Sequence, residues 1–264
     1  MSNLGASIGW GLVVGGSLLA GAVVAAGRRL PERVAAIITS FGGGILVAAV
    51  AFELVPEADA EAGAWITAVC LLAGALVFVG ADAALTRDPE MMEMRRATHA
   101  AAAGRPMHAE AARGEAIAAG LVVDGIPESI ALGLTIAEGE IGLALLVGVV
   151  VGNGVEAYGA TQPIIAGGHA RRFAVALVGG IGLALALATV LGGTVLTDAP
   201  AELIGGAQAL AAGAVLAVVS ISIIPHAFEE VSRRVAIATV LGFVAGYLLS
   251  SYSNPSIAPQ QSQG

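Results

Sequence analysis

The sequence predicts an all-α membrane protein with eight transmembrane helices, on three observations. Of the 264 residues, 57% are hydrophobic and 12% are charged, whereas a soluble domain is about half apolar and a quarter charged. The apolar runs reach about 20 residues, the length that a helix needs to cross a bilayer. These runs also lack the strict alternation that is typical of membrane barrel strands, which leaves helices as the spanning elements.

Eight apolar runs are long enough to be spans. In chain order they are residues 8–26, 34–55, 64–85, 116–137, 141–166, 173–196, 203–224 and 235–252. The 37 glycines favour close packing between these helices, because small residues let transmembrane helices approach each other.

The charged residues between the spans predict the orientation. All twelve basic residues are arginines, and they lie only in the first, third, fifth and seventh connections. The other three connections carry acids instead: Glu57, Asp59 and Glu61, then Glu138 and Glu140, then Asp198 and Glu202. The positive-inside rule therefore places both termini outside the cell membrane and the long connection 86–113 in the cytoplasm.

Two distant segments predict an inverted internal repeat. Residues 44–56 and 213–225 each place a glycine and a proline at the two ends of an apolar stretch of equal length. They lie in spans of opposite direction, a pattern that is typical of secondary transporters. The chain is therefore predicted as a three-helix repeat (1–85), the cytoplasmic loop (86–113), a central helix pair (114–166), a second repeat (167–252) and a disordered tail (253–264).

The central pair carries charges that are costly in a membrane. A charge at the bilayer centre costs about 2.5–3.5 kcal/mol on the insertion scale, yet these spans hold Asp124, Glu128 and Glu156 and no basic residue. Asp124 and Glu128 share one helix face, as do Asn153 and Glu156 on the next span. Pro127 is expected to free one further carbonyl in the first of these helices. If the two helices meet, the four side chains form an all-oxygen site that fits a divalent cation.

A second interpretation of these residues is structural. The three acids are then protonated and hydrogen-bond the helices together, and Pro127 is an ordinary kink.

Three segments resemble the ZIP (Zrt/Irt-like) metal transporters. VVDGIPESIALGL resembles that family's fourth-span signature, FGGGILVAAVAFELVPEA its second span, and GNGVEAYGA the segment that holds its second metal-binding motif. The resemblance extends over residues 8–252 and implies a ZIP-like bundle of three, two and three helices. It further implies a homodimer and an elevator-like movement of spans one, four, five and six against the other four. The metal ligands that it implies are Asp124, Glu128, Asn153 and Glu156.

The chain departs from the family pattern at three positions. Asp124 stands where the family usually has His, Gly125 where it has Asn, and Gly152 at the first ligand position of the fifth span. The glycines put a second metal ion in doubt, and the loss of imidazole favours a harder ion than zinc. Glu53, where relatives carry His or an acid, is a candidate for the first ligand that an incoming cation meets; the alternative is an interfacial acid that faces water.

The preferred hypothesis is transport of divalent metal cations into the cytoplasm. Zinc, iron(II), manganese or cadmium would be the transported ion, with the lipid bilayer and a second copy of the chain as partners and without nucleic acid. We expect no enzymatic activity and no resident cofactor, because the sequence shows neither a nucleophile–base pair nor a phosphate loop. Two alternatives stay open: a proton-coupled transporter of another solute, and a degenerate, non-transporting metal sensor or scaffold.

Overall fold

The computed structural model describes residues 3–28, 30–86, 118, 121–122, 125–136, 143–195 and 199–253. Within these ranges the secondary structure is helical and contains no strand, so the predicted all-α fold class is confirmed. The predicted loop, apart from Thr86, and the predicted tail, apart from Ser253, lie outside the described residues.

The described helices are numbered here in chain order. They are α1 (Asn3–Gly27), α2 (Glu32–Ala49), α3 (Val55–Ala62), α4 (Ala64–Thr86), α5 (Gly125–Ile136), α6 (Leu143–Ala166), α7 (Arg171–Val195), α8 (Ala201–Val218), α9 (Ile224–Val231) and α10 (Arg234–Ser253). In the described part of the chain, seven helices are long and apolar enough to cross a membrane, and α2 and α3 count as one of them. The shorter α5 is also apolar. The protein is therefore a multi-pass, all-α membrane protein.

Two short π-helical segments interrupt otherwise continuous helices. Val50–Leu54 joins α2 to α3, and Val219–Ile223 joins α8 to α9. Each lies just before a proline, Pro56 or Pro225, whose ring would collide with the carbonyl four residues earlier in an α-helix. The wider π turn avoids this collision, and the backbone N–H of Val55 donates across it to the carbonyl of Val50.

The helices of the second and seventh predicted spans therefore extend beyond the predicted apolar runs, which end at residues 55 and 224. Both helices continue past their prolines for a further short helix, to Ala62 and to Val231. Glu57, Asp59 and Glu61 consequently lie on α3 rather than in a loop.

The same order of elements occurs twice along the chain. In each case a helix of 18 residues follows a proline N-cap, then comes a π segment of five residues, and then a helix of eight residues. Each short helix ends at a residue with positive φ, Gly63 at 76° and Ser232 at 51°. The two stretches thus match in length element by element.

A glycine in each long helix packs on the helix that follows the other stretch. A Cβ at Gly44 of α2 would overlap the carbonyl oxygen of Thr239 on α10, and a Cβ at Gly213 of α8 would overlap that of Leu71 on α4. Each long helix therefore packs directly on the backbone of the helix that follows the other stretch.

Helix α6 lies in the interior of this arrangement. Of its residues, more than half are buried, and it contacts α1, α2 and α10. Gly21 of α1 approaches the carbonyl of Gly154, while Leu46 of α2 packs on Gly148. The helix that carries Asn153 and Glu156 is thus surrounded by protein.

Candidate functional site

The predicted site residues lie on two helices. Asn153 and Glu156 lie three residues apart on α6, and Glu128 lies on α5. Glu128 is 4% exposed and Asn153 2% exposed, whereas Glu156 is half-buried. Asp124 lies outside the described residues. The structure therefore confirms that a carboxylate and an amide are buried in the apolar interior.

Helix α5 is held against α7 by glycines. A Cβ at Gly133 of α5 would overlap the carbonyl oxygen of Thr189 on α7. Gly192 of α7 packs in turn on the backbone of Ile130, with 2.6 Å between the added Cβ and the carbonyl oxygen. This close contact fixes the helix that carries Glu128. Its convergence with Asn153 and Glu156 stays a prediction, because the described contacts do not test it.

The buried side chain of Asn153 has an unsatisfied hydrogen-bonding group. The side-chain nitrogen of Asn153 is buried and has no hydrogen-bond partner among the described residues. At the adjacent Gly152, which is buried, an added Cβ would have no described atom within 4 Å apart from its own helix. A rotation of the amide by 180° would present its oxygen, a cation ligand, in place of the nitrogen. An unsatisfied polar group thus lies next to a position where an added Cβ meets no described atom of another helix within 4 Å.

Glu53 occupies a different position from the predicted site. Its Oε1 accepts hydrogen bonds from the backbone N–H of Ala144 at 3.1 Å and from the Ser250 hydroxyl at 2.9 Å, and its Oε2 accepts one from the N–H of Leu145 at 3.1 Å. Glu53 itself is 4% exposed. It therefore caps the N-terminus of α6, where the first amides have no acceptor within the helix. It does not face water, so the interfacial alternative does not describe it.

The opposite end of α6 is also tied down by side chains. The Tyr158 hydroxyl accepts a hydrogen bond from the backbone N–H of Leu30, and the Gln162 amide donates to the carbonyls of Ala25 and Arg28. These bonds join α6 to the C-terminal end of α1 and to the connection between α1 and α2. Helix α6 is thus anchored by polar contacts at both ends.

The described residues contain no group of three or more His, Cys, Asp and Glu side chains that could hold a metal ion. Because Asp124 is not among them, the predicted set of four as a whole stays a prediction. No protein-family model and no characterised protein matches the chain.

Sequence reasoning missed the side chains that anchor α6. Gln162 lies between Thr161 and Pro163 in an apolar run, and an amide side chain in such a run is a signal of a polar contact between helices. Ser250 gave no such signal, because a serine in a transmembrane helix usually bonds to its own backbone.

Proposed function

We propose that this protein transports divalent metal cations across a membrane through a site between α5 and α6, as its resemblance to the ZIP transporters implies. The transported ion is zinc, iron(II), manganese or cadmium, and its ligands are Asp124, Glu128, Asn153 and Glu156. The observation that carries the proposal is the burial of Glu128 and Asn153 in an apolar interior. A buried carboxylate in a membrane protein is costly and marks an ion or proton pathway by default.

Eight spans are part of the proposal. Residues 118, 121 and 122 are helical and lie before α5, and Ala118 and Leu121 belong to the same buried core as α5. A continuous helix from there to Ile136 would be about 28 Å long at 1.5 Å per residue, close to the thickness of the hydrocarbon core. This helix would be the fourth span.

The matched stretches support an inverted repeat. Equal element lengths, two prolines after π segments and reciprocal glycine contacts are what two copies of one three-helix unit would give. We propose that α1–α4 and α7–α10 are these copies, that both termini face outside, and that the protein works as a homodimer.

The span number has a direct test. A reporter fused to either terminus should report the same side of the membrane if there are eight spans, and opposite sides if there are seven. Opposite sides would contradict both the fourth span and the inverted layout.

Transport is tested with purified protein in liposomes. Uptake of zinc, manganese, iron(II) and cadmium is measured for the native protein and for Glu128→Ala and Glu156→Ala. The matched control is Glu202→Ala, since Glu202 is an exposed acid in the first turn of α8. We expect both site variants to lose uptake and the control to retain it. Unchanged uptake in both site variants would contradict the site, and proton flux without any metal requirement would favour a proton-coupled carrier of another solute.

A further inference from the structure

Glu53 joins three helices through a single carboxylate. The residue belongs to the π segment between α2 and α3, two of its bonds go to the first turn of α6, and the third goes to α10. In the proposed orientation this point is the outer end of α6. All three donors come from outside its own helix, so the carboxylate holds separate spans together.

The N-terminus of α6 is a position that would stabilise a charged Glu53. The N-terminus of a helix carries a partial positive charge and unpaired N–H groups. The N–H groups of Ala144 and Leu145 are among the four that have no acceptor within α6. A buried carboxylate there is compensated by the helix end and by the hydroxyl of Ser250, and the described residues that contact it include no basic side chain.

Between its two ends, α6 packs on α2 through glycines. Gly148 packs on Leu46 of α2, and Gly42 of α2 lies against the backbone of Gly152. Glycine contacts lack the directional bonds that fix one helix to another. The hydrogen bonds of Glu53 therefore give α6 a directional connection to the π segment after α2 and to α10.

We propose that Glu53 is a latch, formed with Ala144, Leu145 and Ser250, that holds the outer end of α6 closed against α2 and α10. This inference rests on the proposed transport function, since a transporter must open its site to each side in turn. Release of the latch frees the outer end of α6 and opens the region of Gly152 and Asn153 to the outside. Glu53 is thus a positioning residue that controls access.

The first test is hydrogen exchange of the backbone amides in the full-length protein, in detergent and without metal. In Glu53→Gln the side chain keeps its shape, but one of its two acceptor oxygens becomes a donor group. We expect the amides of residues 144 and 145 to exchange at least about tenfold faster, which corresponds to about 1.4 kcal/mol. The amide of residue 149, inside α6, should change less than twofold.

Two further variants make the exchange experiment specific. Glu57→Gln neutralises an acid one turn away that bonds to Gln208 of α8 instead, and it should leave the amides of residues 144 and 145 unchanged. Ser250→Ala removes one of the three bonds and keeps the charge, so it should accelerate these amides about two- to fourfold even if Glu53→Gln does not fold. Equal exchange in wild type, Glu53→Gln and Ser250→Ala, or equal acceleration by Glu57→Gln, would overturn the latch.

The second test separates a latch from a static helix cap. A cysteine is placed at Gly152→Cys in a Cys70→Ala background, since Cys70 is the chain's one cysteine. A membrane-impermeant thiol reagent is then added from outside. We expect Glu53→Gln to raise external labelling severalfold and Glu57→Gln to leave it unchanged. Faster amide exchange without increased labelling would mean a static cap and would overturn the latch.

These measurements use no metal, so they are independent of the transport assay. Amide and labelling effects in a protein that takes up no cation would retain the latch and contradict the transport proposal. Cation uptake by a protein whose amide exchange and labelling are unchanged in the variants would retain the transport proposal and contradict the latch.

Discussion

The reciprocal glycine contacts predict that glycine-to-alanine substitutions lower the stability of the protein at packed positions and leave it unchanged or raise it at exposed positions. Gly44 lies against the carbonyl oxygen of Thr239 and Gly213 against that of Leu71, and a Cβ at either position would overlap the facing oxygen. The neighbours are backbone atoms, so they cannot move away as the end of a flexible side chain could. Gly44→Ala and Gly213→Ala should therefore push α2 from α10 and α8 from α4.

The magnitude follows from two opposing terms. Overpacking in a tight interior costs about 1–3 kcal/mol, while alanine in a helix is favoured over glycine by about 0.5–1 kcal/mol. The net loss should be about 1–2 kcal/mol, or a decrease in melting temperature of roughly 2–8 °C for a chain of this size.

Matched controls exist on the exposed surface of the helices. Gly16 of α1 and Gly180 of α7 are exposed, and an added Cβ at either meets no described atom within 4 Å. Gly16→Ala and Gly180→Ala should be neutral or slightly stabilising, because only the helix preference remains. Thermal unfolding in detergent, followed by the fluorescence of the chain's two tryptophans, measures all four variants. If Gly44→Ala and Gly213→Ala melt at or above the temperature of the controls, the reciprocal packing is wrong.

Three further predictions concern the site helix and its ligand. Gly152→Ala should leave the melting temperature within about 2 °C of wild type, because an added Cβ meets no described atom of another helix within 4 Å. Gly133→Ala, which faces the backbone of Thr189, should lower the melting temperature by several degrees. Equal effects of the two substitutions would contradict this difference. Tyr158→Phe removes the acceptor of the Leu30 amide and should cost about 1 kcal/mol, measured by urea-induced unfolding in detergent micelles. A wild-type free energy of unfolding in this variant would show that the hydrogen bond between α6 and the connection from α1 to α2 is not formed. A transported cation at 100 times its dissociation constant should stabilise the wild-type protein by about 2.7 kcal/mol. Thermal shift assays with zinc and manganese should show this stabilisation for the wild-type protein and not for Glu128→Gln. An equal shift in both proteins would mean that the cation binds elsewhere.

The helices could be predicted from the sequence because hydropathy and run length act locally. Most predicted spans agree with the described helices to within a few residues, since an apolar run of about 20 residues has few other stable forms in a membrane. At Pro56 and Pro225 the helices continue beyond the predicted apolar runs, which end at residues 55 and 224. Proline does end most helices, but a π turn can accommodate it, and a single sequence does not show which of the two occurs.

The candidate site was predictable in part. The burial of Glu128 and Asn153 follows from their place in apolar runs, and the structure agrees. The partners of Glu53 were not predictable, because Ala144, Leu145 and Ser250 are more than 90 residues away along the chain. Long-range capping of this kind depends on how three helices pack, which local patterns do not encode.

The contacts of α6 indicate where a movement of this helix would meet resistance. Glu53 accepts three hydrogen bonds at one end of the helix, and each would contribute about 1.5–3 kcal/mol with Glu53 charged, more than a neutral hydrogen bond. Along its middle, α6 meets α1 and α2 through Gly148, Gly152 and Gly154, and small-residue contacts of this kind can re-form after a shift. The rate of any movement of α6 past α2 should therefore depend on the bonds at the Glu53 end more than on the packing between the ends. Substitutions at Glu53 or Ser250 should then change the rate of the movement, whereas substitutions at Glu128 or Asn153 should change what is bound.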